Sequence, residues 1–300
     1  VMSQSVIGGN AVAGGVGKDQ PLGFNHRPSP SRVRLDACEA KDQPAFIGYL
    51  PYGFPNAEGS LQAIETICRH GVDLVEIGLP YSDPVMDGQV IQSAARIALD
   101  QGERIAGVFE AVELVAACGA VPLIMSYWNL IFHYGVENFA RDFANAGGAG
   151  LITPDLIPDE AGEWIEVSDQ HGLDRIFMVS PDSSQDRLKT VAGNSRGFVY
   201  AASRMGVTGE QESISASPQT LVETTRQAGA DKVCVGLGVS TGDQGAQVGA
   251  YADGVIVGSA LVHCLLDDSG RRSRDLQEGL NLLAAKSDEL SLGIHTARLS

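Results

Sequence analysis

The 300-residue chain has only five lysines, no CxxC pair, no HxH pair and no apolar run long enough to cross a bilayer. Each absence removes a class of chemistry. A membrane helix needs roughly 18–20 consecutive apolar residues, and none is present. The five cysteines (Cys38, Cys68, Cys118, Cys234 and Cys264) are scattered and odd in number, so they read as reduced thiols of a cytoplasmic protein and not as a disulfide frame or zinc site. The six histidines (His26, His70, His133, His171, His263 and His295) are dispersed, with no cluster suited to a catalytic metal. Basic residues are outnumbered, leaving a net charge of -16, which argues against binding a nucleic-acid backbone. It does not forbid a small anionic ligand, because backbone dipoles can hold a phosphate inside an acidic protein.

What is present is ordinary globular material, 44% hydrophobic and 19% charged, enough for one large domain or two smaller ones. Residues 1–30 are rich in Gly, Ser and Pro, lack the charged head and long apolar centre of a signal peptide, and read as a disordered tail. Beyond them, short apolar runs alternate with amphipathic stretches. The strand candidates are 45–50, 73–78, 121–127, 149–153, 175–180, 197–202, 232–238 and 253–258. Most are apolar on both faces, as parallel strands must be when helices cover one side and a core fills the other. Helices are expected over 59–70, 136–146 and 217–228, the last opened by Ser217-Pro218, and each ends at a glycine that leads directly into a strand. Eight such units fit a closed (β/α)8 TIM barrel, usually about 250 residues, placed here over 31–290 with an extra N-terminal helix. A doubly wound open sheet is the alternative, but the GxGxxG turn it often carries after its first strand is missing.

In such a barrel the reacting groups lie at the C-terminal ends of the strands. Glu76 stands there, inside the apolar run DLVEIG. Burial should raise its pKa into the range useful for proton transfer near neutral pH, although a structural ion pair explains lone strand carboxylates equally well. The next loop, PYSDPVMDG, adds Asp83 and Asp87; Asp83-Pro84 reads as a turn, and Asp87-Gly88 is open to the same reading. At the other end of the chain, Gly236 and Gly238 close the seventh predicted strand, and Gly258-Ser259 closes the eighth before a short helix. Loops at these two places form the usual phosphate cup of the fold, where glycines admit close backbone approach. The Gly-rich loop 202–213 suits a lid. None of the five lysines falls at the end of a predicted strand, so a Schiff-base mechanism is not expected. Carboxylate acid–base catalysis on a phosphorylated substrate remains.

The segments EIGLPYSDPVMDG (76–88), YWNLIF (127–132), PDLIPDE (154–160), SRMGVTG (203–209), GLGVS (236–240) and VGSALV (257–262) resemble the tryptophan synthase alpha chain family, from about Arg32 to about Lys286. The resemblance implies a lyase of tryptophan biosynthesis that cleaves indole-3-glycerol phosphate to indole and glyceraldehyde 3-phosphate. It implies Glu76 as the acid–base at indole C3 and Asp87 as the carboxylate facing the indole N–H. Tyr200 and Tyr127 would line the pocket, and Thr208 would join the lid to the loop of Asp87. Gly209, Gly238, Gly258 and Ser259 match phosphate-binding positions. No metal and no cofactor are expected in this chain. A beta chain, itself carrying pyridoxal phosphate, is the implied partner in a two-alpha, two-beta complex, with Asn129 and Asp155 in motifs facing the pocket or that partner. Phe54, Met205 and Leu237 depart from the family pattern, which bears on the lid and the packing of the indole ring. Indole-3-glycerol phosphate synthase is a rival on the same fold, but it would need a strand-end lysine.

Overall fold

The computed structural model describes residues 28–203 and 217–299. Its strands are β1 (Ala45–Pro51), β2 (Leu74–Gly78), β3 (Val121–Met125), β4 (Gly150–Ile152), β5 (Asp174–Ile176), β6 (Met178–Val179), β7 (Val199–Ala202), β8 (Val233–Gly236) and β9 (Gly254–Val257). They form a single parallel sheet in the order β5-β4-β3-β2-β1-β9-β8-β7-β6. The two strands at its ends are consecutive in the chain and interrupted only at Phe177, so the sheet closes through the backbone itself. The Phe177 carbonyl accepts the Tyr200 N–H at 3.0 Å, and the Arg175 carbonyl accepts that of Arg196 at 2.8 Å, sealing the seam. The predicted strand 175–180 is therefore two pieces, and the eight-stranded barrel holds.

The helices are α1 (Pro30–Glu39), α2 (Ala57–Arg69), α3 (Gln89–Asp100), α4 (Val108–Ala117), α5 (Trp128–Tyr134) and α6 (Val136–Asn145). There follow α7 (Gly162–His171), α8 (Gln185–Asn194), α9 (Pro218–Gln227), α10 (Gly242–Gly249), α11 (Ser259–Cys264) and α12 (Leu276–His295). The helix–glycine–strand joins are as expected: Gly71, Gly147 and Gly229 all have positive φ, at 91°, 88° and 110°, a conformation costly for a side chain with a Cβ. Ser217 caps α9 by accepting the Thr220 N–H at 3.2 Å. The last helix runs to His295, past the expected boundary at 290.

Alternation along the strands sorts the apolar residues into two cores. Phe46, Leu50, Val75, Ile77, Ile124, Val233 and Val255 face the helices. Ala45, Ile47, Leu74, Leu123, Ile152, Ile176, Phe198, Cys234 and Ile256 fill the barrel interior. Leu35 and Cys38 of α1 belong to that second core and so plug its N-terminal end. The plug is anchored by polar bonds. Asp174, fully buried at the foot of β5, accepts the Ser31 N–H at 3.0 Å and the Ser31 hydroxyl. Lys232, at the foot of β8, pairs with Glu39 at 2.6 Å and Asp36 at 3.2 Å. With its floor closed, the barrel offers its C-terminal mouth to ligands. No described helix is long and apolar enough to cross a membrane.

Candidate active site

Every residue of β2 is buried, because helices cover its outer face and the barrel core its inner one. Glu76 points inward, in register with Tyr49 of β1 and Leu123 of β3. It is 1% exposed, and among the described residues nothing hydrogen-bonds its Oε1. Among the described residues, the structural ion pair that the sequence left open is not formed. Burial alone pushes the carboxyl from 4.5 to about 8. A carboxyl in this state is a proton donor at neutral pH that needs only a modest push to become a base.

Tyr49 and Tyr200 flank it. Both lie on the inward faces of their strands, and both phenols are held well above their usual range by burial and then by the charges of Glu76 and Asp87. Glycines make room for these rings: a Cβ at Gly78 would collide with the Tyr49 hydroxyl, and one at Gly236 with that of Tyr200. Gly236, read from sequence as part of a phosphate cup, thus has a packing reason of its own.

Asp87 sits in the loop between β2 and α3. Burial raises its pKa, and a 3.2 Å hydrogen bond donated by the Tyr127 hydroxyl holds the rise back. That hydroxyl also accepts the Met86 N–H at 3.0 Å, and its ring stacks on Tyr81 at 4.7 Å between centroids. Tyr127, just beyond β3, therefore clamps the loop that carries Asp87. Asp83, by contrast, is exposed and takes the Ser82 hydroxyl at 2.6 Å, as a turn residue does.

After β8 and β9, which continue the sheet beyond β1, Gly238 turns the chain with φ +80° and Gly258-Ser259 opens α11. Among the described residues, nothing accepts from the N–H groups of Gly238, Val239, Ser259 or Ala260. Two loops thus present unengaged backbone donors at the strand ends, as an anion requires.

A family model described as "Tryptophan synthase alpha chain" matches residues 35–290. The chain belongs to that family. It is 72% identical over 279 residues to the tryptophan synthase alpha chain of Bifidobacterium longum, covering 93% of this chain and 96% of the relative. It is 50% identical over 260 residues to that of Mycobacterium avium, covering 87% and 92%. Among solved structures, a Mycobacterium tuberculosis tryptophan synthase chain is similar with a TM-score of 0.80 at 46% identity, covering 90% of this chain and 99% of that one.

Glu76 and Tyr200 stand on barrel strands, Asp87 and Tyr127 are hydrogen-bonded to each other beyond β2 and β3, and Gly238 and Gly258-Ser259 follow β8 and β9. Thr208 and Gly209 of the tryptophan synthase alpha chain lid motif, like Met205 and the tail residues 1–27, lie outside the described residues. Asp155, from the segment after β4, accepts the Trp128 N–H at 2.9 Å and so satisfies the first donor of α5. Phe54 and Leu237, the two described departures from the family pattern, are both buried and apolar. Tyr49 was missed. Its signal was available in the alternation Ala45, Ile47, Tyr49, which puts an interior phenol one strand away from Glu76. Of the described lysines, Lys232 is bound at the barrel floor and Lys286 lies on α12, outside the barrel. Among the described residues, no group of three or more His, Cys, Asp and Glu could hold a metal.

Proposed function

We propose that Glu76 and Asp87 are the two working carboxyls of a retro-aldol cleavage at this mouth. As a member of the tryptophan synthase alpha chain family, the chain is a lyase of tryptophan biosynthesis: it cleaves indole-3-glycerol phosphate to indole and glyceraldehyde 3-phosphate and passes the indole to a beta subunit. The observation that carries the assignment of roles is the buried Glu76 carboxyl, whose Oε1 has no hydrogen-bond partner among the described residues, in register with Tyr49 inside the barrel.

Indole is a poor carbon leaving group until C3 is protonated. Protonated Glu76 donates to C3, giving an indolenine cation. Asp87, hydrogen-bonded by Tyr127, stays the more acidic of the two and stabilises the positive charge that develops at the ring N–H. The Glu76 carboxylate then takes the proton of the side-chain hydroxyl as the C–C bond breaks, leaving the aldehyde and neutral indole. C3 gains one proton and the hydroxyl loses one, so Glu76 ends as it began. The unengaged N–H groups of Gly238 and Ser259 hold the phosphate, with Gly258 allowing its approach, and Tyr200 lines the indole side. Thr208 and Gly209 serve the lid and the phosphate. The chain needs no cofactor of its own in this scheme, and pyridoxal phosphate belongs to the partner beta chain in a two-alpha, two-beta assembly. Val85, Met86, Phe132 and Ile157, exposed apolar residues of the mouth loops and α5, suit that partner.

Indole release from indole-3-glycerol phosphate by the purified chain tests the reading. Asp87→Asn should lower kcat by about 10²–10³, the scale of losing one charge-stabilising group. An unchanged rate would return Asp87 to the role of a turn residue.

A further inference from the structure

The C-terminal helix α12 is not part of the mouth, yet its polar side chains end on the loop between β8 and α10. Lys286 Nζ donates to the Ser240 carbonyl at 3.1 Å and to Glu289 Oε2 at 2.7 Å. The other Glu289 oxygen, Oε1, accepts the Gly242 N–H at 3.0 Å. The two backbones are also in close approach: a Cβ on Gly242 would come within 2.7 Å of the Glu289 carbonyl oxygen, and one on Gly293 would collide with the Gly242 backbone. The loop is tied from within by Gln244, whose Oε1 accepts the N–H groups of Ser240 at 2.8 Å and Thr241 at 3.3 Å.

These bonds divide the loop's donors. The N–H groups of Ser240, Thr241 and Gly242 are all spent on Gln244 and Glu289. Those of Gly238 and Val239, one and two residues earlier, have no described partner. A carbonyl oxygen at the edge of an anion site repels the anion. Lys286 holds that of Ser240 to α12, and Glu289 fixes the next turn from the same helix.

We infer that Lys286 and Glu289 are positioning residues for the phosphate of the substrate, setting the Gly238–Val239 donors through the backbone of Ser240 and Gly242 without touching the ligand. The inference rests on the phosphate reading of the cup proposed above. Glu289, with its carboxyl held below its usual range by Lys286 and the Gly242 N–H, stays ionised wherever the enzyme works.

The full chain is assayed for kcat and KM with indole-3-glycerol phosphate, and for inhibition by sn-glycerol 3-phosphate, a phosphate ester without the ring. Lys286→Met should raise KM and the inhibition constant together by about five- to tenfold, the net worth of one ordinary hydrogen bond, with kcat nearly unchanged. Lys286→Arg, which keeps a cationic donor, should recover most of the loss. Glu289→Gln, a milder change that keeps an acceptor for Gly242, should shift both constants in the same direction by less. Gly238→Ala tests the cup itself, and Lys189→Met on distant α8 is the control. If Gly238→Ala weakens both constants and Lys286→Met moves neither, the inference fails and the cup stands. If neither variant moves them, the cup reading fails and takes the inference with it. A Lys286→Met protein with reduced thermal stability and kcat but an unaltered KM would also overturn the inference, because α12 would then be only a structural brace.

Discussion

Replacing Glu76 by Gln should make the protein inactive and, in alkaline solution, more stable than the parent. The carboxyl has nearly the same volume as the amide, so the perturbation is confined to the ionisable proton. In the folded chain that proton is held to about 8 against 4.5 in an ordinary carboxyl, with burial as the whole cause. Between those two values the folded state keeps a proton that the unfolded state has released. Stability contributed by this group is therefore fully present below pH 4.5, is lost as pH rises toward about 8, and is flat beyond. At about 1.4 kcal/mol for each tenfold change in proton affinity, the ceiling on the loss is about 5 kcal/mol. Gln cannot ionise, so the variant is free of this slope. Urea unfolding of both proteins at pH 5 and pH 9 would measure it: the gap between variant and parent should widen in favour of the variant by several kcal/mol. Any constant cost of burying the amide cancels in that comparison. In the same preparations indole release should fall by about 10²–10⁴, the usual worth of a general acid–base. Parallel pH dependence in the two proteins would show that Glu76 is not held dry, and an active Gln variant would remove it from the chemistry.

Two further outcomes follow from the same chamber. Because the free chain meets its substrate with Glu76 protonated, kcat/KM should decline tenfold per pH unit above about 8; a limb near the ordinary carboxyl value would exclude Glu76 as the donor. Tyr127→Phe removes the hydroxyl that donates to Asp87 and accepts the Met86 N–H, so kcat/KM should drop by about 10- to 100-fold with the fold intact by circular dichroism. Unchanged kinetics would mean that the loop holds Asp87 without this clamp.

The strand and helix pattern was legible because it rests on local rules. Apolar runs such as 73–78 and 232–238 can only be strands covered on both sides, and Gly71, Gly147 and Gly229 end helices for reasons internal to one residue. Ends were less legible: the strand expected over 121–127 stops at Met125, and Ser126 and Tyr127 lead into α5. The break at Phe177 gave no signal at all, since Ile176, Phe177, Met178 and Val179 form one unbroken apolar run.

For the site, the sequence by itself determined that a carboxyl stands within an apolar strand, that a second follows in a turn, and that glycines end the last two strands. It also placed the chain in its family through short motifs spread from Glu76 to Val262. Tertiary structure decided whether those residues work together. Whether Glu76 has an ion-pair partner, whether Tyr127 meets the substrate or clamps Asp87, and whether Gly236 serves a phosphate or a phenol all depend on neighbours from other strands. Lys286 is the clearest instance: on a sequence it is one more exposed helical cation, and only the packing of α12 against α10 puts it under Ser240. Periodicity is a property of one segment. Desolvation and hydrogen-bond partnership are properties of several, so they exist only once the barrel has closed.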